Sequence, residues 1–272
     1  MGAQGDNEGA LGYPPFVCTD GLVLPVSARG SARARRTRIV FAVKGSLEVV
    51  VPQRGGRPPA ELAPRRVADL LEERRAWIER TARRLATIIV SYQASAAAGL
   101  PSCIEFPPLG ERWAVEYRPT GADSVTARAL APAHTLRLSG CVHKEELCLA
   151  ALRRFVLRHA KRELPLYAWR VYGWLAASQH ARGYPRPSSI TVNSHKRAWG
   201  LCTRDARIRI DRRVVFLPEA LARQIVLHEL AHIRHHNHSP AFYEELYSFE
   251  GSDRAAEKEL SQAVRHVPAW FA

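Results

Sequence analysis

Cysteine is scarce in this 272-residue chain, and its five positions argue against two common kinds of site. An odd number of cysteines without a C-x-x-C pair fits neither a disulfide framework nor a zinc ion held by thiolates. We therefore expect reduced thiols throughout. Cys202 is expected to be structural, because the sequence places no base beside it as a nucleophile would need.

Long apolar runs are also absent. The most apolar stretches, such as residues 49–51 and 87–90, are far shorter than the roughly 20 residues that span a bilayer. Residues 1–7 are polar and acidic, unlike a secretory signal. No glycine-rich phosphate loop opens a helix, so a P-loop or Rossmann site has no support. These absences predict a cytoplasmic protein that does not insert into membranes.

Lysine is rare as well, yet the net charge is +14, because arginine supplies most of the positive charge. The excess reflects either a bias in nucleotide composition or a surface that attracts nucleic acid, phosphorylated substrates or acidic proteins. Residues 27–36 are its densest tract, within a flexible basic lead-in that we predict over residues 1–36. We expect weak binding of nucleic acid or other polyanions through the arginine-rich surface.

The pattern of elements predicts an α+β fold. Residues 38–43 and 47–51 are rich in β-forming side chains and predict a hairpin. Apolar residues at helical spacing predict one long helix over 66–90, with Trp77 and Ile78 in the core. Short strands at 112–118, 124–130 and 135–138 are expected to extend the hairpin's antiparallel sheet. Residues 37–140 thus form a predicted β-rich region with one long helix.

Residues 141–272 are predicted to be mainly helical and to form a separate domain. Residues 143–163 and 166–180 predict two helices separated by Pro165, and residues 207–211 a short strand. Two more helices, over 242–249 and 255–267, are expected to close the chain.

An H-E-x-x-H sequence runs from His228 to His232, after apolar residues typical of a buried helix. Positions i and i+4 lie on one helix face, so both histidines can bind the same metal ion. The carboxylate of Glu229 can then reach a metal-bound water without being a ligand. This is the arrangement of zinc hydrolases, and Zn²⁺ is the cofactor that it predicts.

A catalytic zinc usually has three protein ligands, and His238 is the natural third candidate. The chain must turn before it, and Asn237 tolerates the left-handed conformation common at helix ends. The pair at 239–240, Ser followed by Pro, is typical of the start of the next helix. His235 and His236 are expected to be surface histidines. The alternative is a solvated, histidine-rich helix end without metal.

Residues 189–242 resemble the YgjP-like metallopeptidase domain, which is related to the M48 and SprT-like zincins. The resemblance rests on A-W-G-L-C at 198–202, R-I-R-I-D at 207–211, L-P at 217–218, H-E-L-A-H at 228–232 and N-H-S-P-A-F at 237–242. It implies that residues 141–272 form a zincin-like catalytic domain, with His228, His232 and His238 as zinc ligands and Glu229 as the catalytic acid/base. The family's Arg and Ser are replaced here by Ala198 and Leu201. The hairpin and the helix with Trp-Ile also resemble the family's amino-terminal half.

The resemblance implies a zinc-dependent metallopeptidase that cleaves a peptide or protein substrate. Glu229 would take a proton from water and deliver it to the leaving amine. Residues 207–211 are a candidate strand for pairing with an extended substrate. Arg197, His236 and Tyr243 are equal candidates for stabilising the oxyanion. Two alternatives remain: a zinc hydrolase of nucleotides or phosphorylated substrates, and a SprT-like protease held on nucleic acid.

Overall fold

The computed structural model describes residues 12–42, 45–53, 62–97, 99–178, 183–195 and 198–271. The chain divides into two compact units, residues 1–94 and 95–272, each with its own apolar core. Groups of strands and groups of helices follow one another along the chain in an α+β fold, as the sequence predicts. The division falls after residue 94, whereas the sequence pattern placed a boundary at residue 140.

The first unit begins with strands where the composition predicts a flexible lead-in. These are β1 (Phe16–Val17), β2 (Val23–Leu24) and β3 (Val26–Ser31). Phe16 and Leu24 are buried in the core of this unit, so residues 16–31 are structured by apolar contacts despite their many Gly, Ala and Arg neighbours. Residues 1–11 of the predicted lead-in lie outside the described part of the chain.

The predicted hairpin is confirmed as β4 (Arg38–Ala42) and β5 (Ser46–Pro52), which pair antiparallel with Ala42 opposite Ser46. The central β5 also pairs in parallel with β3. The inward residues of β5 pack on two helices, α1 (Pro64–Glu73) and α2 (Arg75–Ala97), where the sequence predicts one. Ile78 is fully buried as predicted, but Trp77 is 41% exposed, so its assignment to the core was wrong.

The second unit contains a separate four-stranded sheet in the order β6-β7-β9-β8. Its strands are β6 (Cys103–Phe106), β7 (Glu111–Pro119), β8 (Val125–Leu130) and β9 (Thr135–Gly140). The expectation that these strands extend the hairpin's sheet was therefore wrong. Their short connections let them pair with each other, since neighbouring strands in sequence usually pair locally.

Helix α3 (Glu145–Ala177) is continuous through Pro165, where the sequence predicts a break. Its buried face includes Leu164 and Ala168 on either side of the proline. Burial of this long face outweighs the hydrogen bond that a proline removes from a helix interior.

A three-stranded sheet and three helices complete the second unit. The sheet has β12 (Arg207–Asp211) at its centre, between β10 (Ser189–Asn193) and β11 (Gly200–Cys202). The helices are α4 (Glu219–Ala231), α5 (Pro240–Ser248) and α6 (Arg254–Glu259). No helix in the described ranges is long and apolar enough to cross a membrane.

Candidate metal centre

Helix α4 carries the first two histidines of the H-E-x-x-H sequence. Its residues are almost all buried, including Val226, Leu227 and Leu230 around the motif. The helix ends at His232, whose backbone N–H still bonds to the carbonyl of His228 at 3.3 Å. The last turn therefore fixes the backbone of both histidines, and the apolar contacts of α4 hold that turn in the core.

Residues 232–239 turn the chain back, so that His238 lies near His228 and His232. Ser239 caps α5 by accepting a hydrogen bond from the Phe242 N–H at 3.4 Å, with Pro240 in the first turn, as the sequence predicts. Asn237 does not adopt the left-handed conformation that the sequence suggested, because Asn237 is not among the described residues with positive φ. The helix has already ended at His232, so the later residues need no left-handed cap.

The three predicted histidines come together at this turn. Ligand nitrogens of His228, His232 and His238 all lie within 4.8 Å of one another. The Nε2 atoms of His228 and His238 are 3.0 Å apart. Zinc–nitrogen bonds of about 2.0–2.1 Å place two tetrahedral ligand atoms roughly 3.4 Å apart, so the cluster has the dimensions that a single ion needs.

The hydrogen bonds of the outer ring nitrogens set the tautomers of two of these histidines. His228 Nδ1 lies 3.0 Å from Oε1 of Glu257, and His232 Nδ1 lies 2.7 Å from the carbonyl oxygen of His235. Both acceptors lack a hydrogen, so each Nδ1 donates and each Nε2 keeps its lone pair. Those lone pairs face the cluster, which is the donor set that a divalent metal requires.

Glu257 on α6 is a functional residue that the sequence motif does not reveal. Its second oxygen accepts a hydrogen bond from Gln224 Nε2 at 2.9 Å, and Gln224 is fully buried on α4. Gln224 Oε1 in turn accepts from the Asp253 N–H at 2.9 Å. Burial raises the pKa of Glu257, but the hydrogen bonds from His228 and Gln224 outweigh it and leave this pKa below its usual value. The charged carboxylate therefore holds His228 in place.

Phe242 forms an aromatic support for all three histidines. Its ring centroid lies 4.9, 4.6 and 5.0 Å from those of His228, His232 and His238. The side chain is fully buried. Packing against one rigid ring restricts the orientation of the imidazoles, which lowers the entropy that metal binding would otherwise remove.

The environment of His232 and His238 favours the neutral form of both side chains. Burial lowers the pKa of both His232 and His238, and the neighbouring His228 lowers both further. A neutral imidazole has the lone pair that ligation needs.

Glu229 points its carboxylate into a dry environment beside the cluster. The residue is 5% exposed, and its Oε2 has no hydrogen-bond partner in the described part of the chain. Burial, reinforced by the charge of Glu257 and opposed by His228, raises the pKa of Glu229 to about 7. A buried carboxylate oxygen without a partner is costly, and a water held at the adjacent metal position would satisfy it.

Gly200 on β11 packs directly against this carboxylate. A Cβ at position 200 would lie 2.5 Å from Oε1 of Glu229 and 2.6 Å from its Cγ. The next residue but one, Cys202, has a pKa raised to about 11 by burial and by Glu229, which disfavours the thiolate that a nucleophile needs. Strand β11 therefore packs on the Glu229 carboxylate, with glycine where the two elements meet.

The strand predicted to pair with substrate has no free edge. Both edges of β12 are occupied, in parallel by β10 and antiparallel by β11. That prediction was wrong, because the sequence does not reveal that residues 200–202 add a third strand. The two outer edges of the sheet belong to β10 and to β11, whose Leu201 is 42% exposed.

The remaining sequence candidates lie around the cluster. His235 pairs through Nε2 with Glu245 at 2.9 Å, and His236 is exposed. Neither belongs to the metal-ligand cluster found among the described residues. Tyr243 packs its ring 6.2 Å from that of His238, whereas Arg197 lies outside the described residues.

Comparison with known families identifies the family of this chain from a match over most of its length. The model of the YgjP-like, metallopeptidase domain family matches residues 35–263, which include the hairpin, both helices of the first unit and the whole histidine cluster. No curated protein and no solved structure matches the chain. The chain belongs to the YgjP-like metallopeptidase domain family.

Proposed function

We propose that this protein is a zinc-dependent peptidase in which His228, His232 and His238 hold the metal and Glu229 transfers protons. The observation that carries the proposal is the convergence of three histidine nitrogens within 4.8 Å beside a buried carboxylate oxygen without a partner. Imidazole ligands suit zinc, and three of them leave a fourth position open for chemistry.

Each residue of the site has its own role in hydrolysis. Bound zinc would supply Lewis-acid catalysis and would make a water molecule more acidic. Glu229 accepts the proton of the attacking water at Oε2 and later donates it to the leaving amine. Glu257 and the His235 carbonyl orient two of the ligands through their outer nitrogens. The buried residues of α4 around Glu229 limit the access of other water to this proton.

The outer edge of β11 supports binding of an extended peptide. The Asp211 N–H donates to the carbonyl of Trp199 at 2.8 Å, so this pair is hydrogen-bonded across the β11–β12 ladder. Hydrogen-bonded positions alternate along an antiparallel pair. The backbone N–H and C=O of Leu201 therefore also point towards β12. The backbone groups of Gly200 and Cys202 then face outward. A peptide strand adding there would lie beside Glu229 and present its scissile bond to the cluster.

Metal content tests the ligand set. We expect one zinc per chain in the parent and weaker retention in His228→Ala, His232→Ala and His238→Ala, because each loses a third of the donor set. His235→Ala, a neighbouring histidine outside the cluster, is the matched control and should retain zinc. Retention by His238→Ala together with loss in His235→Ala would contradict the ligand set.

Turnover tests the role of Glu229. Glu229→Gln keeps the size of the side chain but cannot accept a proton, so hydrolysis of a peptide library should fall by roughly two or more orders of magnitude. Zinc content should stay at the parent's level, since no ligand is lost. A nucleotide and phosphoester panel run in parallel tests the alternative substrate class. Membership of a metallopeptidase family favours peptides as the substrate class. Undiminished peptide turnover in the Gln variant would exclude Glu229 as the base.

A further inference from the structure

The first unit has a concave site far in sequence from the histidine cluster. The cavity has a volume of about 450 Å³ and lies between β4, the end of α1 and the start of α2. None of the described side chains that line it is acidic; they are Arg36, Thr37, Arg38, Ile39, Leu70, Arg74 and Trp77. Its size falls within the range of small-ligand sites, roughly 300–1,000 Å³. We call it the Trp77 pocket.

The three arginines of the Trp77 pocket have no counter-ion in the part of the chain that the structure describes. Arg36, Arg38 and Arg74 make no side-chain hydrogen bond or ion pair within the described ranges, and all three are exposed. Two other arginines of this unit do have acidic partners: Arg29 bonds to Glu48 at 2.7 Å and Arg75 to Glu72 at 2.6 Å. Three unpaired guanidinium groups around one concavity create a positive potential that attracts a multiply charged anion.

Trp77 supplies an aromatic surface in the same pocket. The side chain is 41% exposed, whereas its neighbour Ile78 is fully buried in the core. The Phe41 ring packs edge-on against it, with centroids 5.8 Å apart and planes at 61°. Ile39 and Leu70 are partly buried beside it and form an apolar floor. The indole is therefore held by the core on one side and remains accessible on the other.

We propose that the Trp77 pocket binds single-stranded nucleic acid, with a base stacked on Trp77 and phosphates paired with Arg36, Arg38 and Arg74. Base–aromatic stacking combined with guanidinium–phosphate contacts is the chemistry of such sites. A duplex keeps its base faces covered, and an acidic peptide offers carboxylates without a flat π-surface. The arginine-rich tract at 27–36 thus ends at this pocket, since Arg36 is one of the lining residues. The proposal is independent of the proposed peptidase activity.

Fluorescence anisotropy of a labelled oligothymidylate tests this site in the full-length protein. Trp77→Ala should weaken binding about 5- to 150-fold, the range for losing one base–aromatic stack. Trp77→Phe should restore most of the affinity, because a phenyl ring also stacks. The variant Arg36→Gln/Arg38→Gln/Arg74→Gln should reduce the slope of log affinity against log salt by about 2, the value for three single-strand phosphate contacts.

A charge-matched control separates the pocket from the general positive charge of the chain. Arg80→Gln/Arg83→Gln/Arg84→Gln removes the same charge from exposed positions of α2 outside the pocket and should bind almost as the parent does. Equal losses in the two triple variants would overturn the proposal. So would unchanged binding by Trp77→Ala, provided that thermal melting shows every variant to be folded.

Competition identifies the class of ligand. An unlabelled single strand should displace the probe, while the matching duplex and poly-glutamate should displace it at least tenfold less well. Equal competition by poly-glutamate would assign the pocket to acidic peptides and contradict base stacking. Equal competition by a free nucleoside monophosphate would assign it to a mononucleotide and contradict strand binding.

Discussion

At the scale of single residues, glycine at position 200 is required by a side chain on another element. Gly200 needs no unusual backbone conformation, because its φ is not positive. What it provides is space: the Glu229 carboxylate occupies the position that a Cβ would take. Cβ contacts below about 3 Å are essentially never observed, so any side chain here must displace either Glu229 or β11.

We therefore predict that Gly200→Ala lowers peptide turnover by about tenfold or more while leaving metal content unchanged. The displaced carboxylate would lie farther from the attacking water, and proton transfer depends on hydrogen-bond distance. Gly173→Ala is the matched control, because a Cβ there meets nothing within 4 Å and α3 favours alanine. Turnover equal to the parent's in Gly200→Ala would mean that Glu229 has room to adjust.

Under the proposed function, Glu257 would act on a bound metal ion without touching it. Its charge fixes His228 Nδ1–H, so Nε2 is presented as a lone pair. Glu257→Gln keeps the shape but removes the charge, and we predict a metal affinity 10- to 100-fold weaker, the usual effect of such partners. Competition with a chelating dye measures this affinity. Glu250→Gln, an exposed carboxylate outside the network, should leave it unchanged; equal losses in both variants would point to net charge instead.

At the scale of elements, α3 retains a proline in its interior. Pro165 cannot donate to the carbonyl four residues earlier, and a proline inside a helix costs about 3 kcal/mol. The helix nevertheless continues for 33 residues, since one face is buried along its length. Pro165→Ala should therefore raise the free energy of unfolding by about 1–3 kcal/mol, measured by urea denaturation. An unchanged or lower value would show that the pyrrolidine ring makes compensating contacts.

Local sequence patterns predict those elements that are determined by residues close together in the sequence. The hairpin of β4 and β5 follows from two runs rich in β-branched residues on either side of a glycine, and the start of α5 from Ser239 and Pro240. The histidine pair follows from the i, i+4 geometry of α4. Each of these depends on residues within a few positions of one another, so no tertiary information is needed.

Features set by contacts distant in sequence could not be predicted in this way. Glu257 lies 29 residues from His228, and nothing near it in the sequence indicates a metal site. The third strand beside β12 depends on a pairing of residues 200–202 that a three-residue segment cannot signal. Trp77 falls on the apolar helical pattern, yet it lies at the edge of the buried stripe, where periodicity cannot separate core from surface.

At the scale of the whole molecule, a buried histidine outside the metal centre links stability to pH. His159 on α3 donates through Nε2 to Oε2 of Glu111 at 2.7 Å, and Trp113 Nε1 donates to the same oxygen at 2.7 Å. Its ring stacks on Phe106 at 4.8 Å between centroids. Burial lowers the pKa of His159; Glu111 opposes this and Arg162 adds to it. The folded protein therefore holds this imidazole neutral under conditions where the unfolded chain protonates it.

The direction of the resulting pH effect follows from proton counting. Below the unfolded histidine pKa of about 6.5, the unfolded chain binds a proton that the folded chain does not, so acidification favours unfolding by up to about 1.4 kcal/mol per pH unit. We predict that the free energy of unfolding falls more steeply from pH 7 to pH 5 in the parent than in His159→Gln, which keeps a donor for Glu111 but cannot titrate. Urea denaturation at each pH measures both slopes, and all other titrating groups cancel in the difference. His236→Gln, an exposed histidine, should keep the parent's slope. If His159→Gln also keeps that slope, the imidazole is not held neutral, and the acid sensitivity of the second unit arises elsewhere.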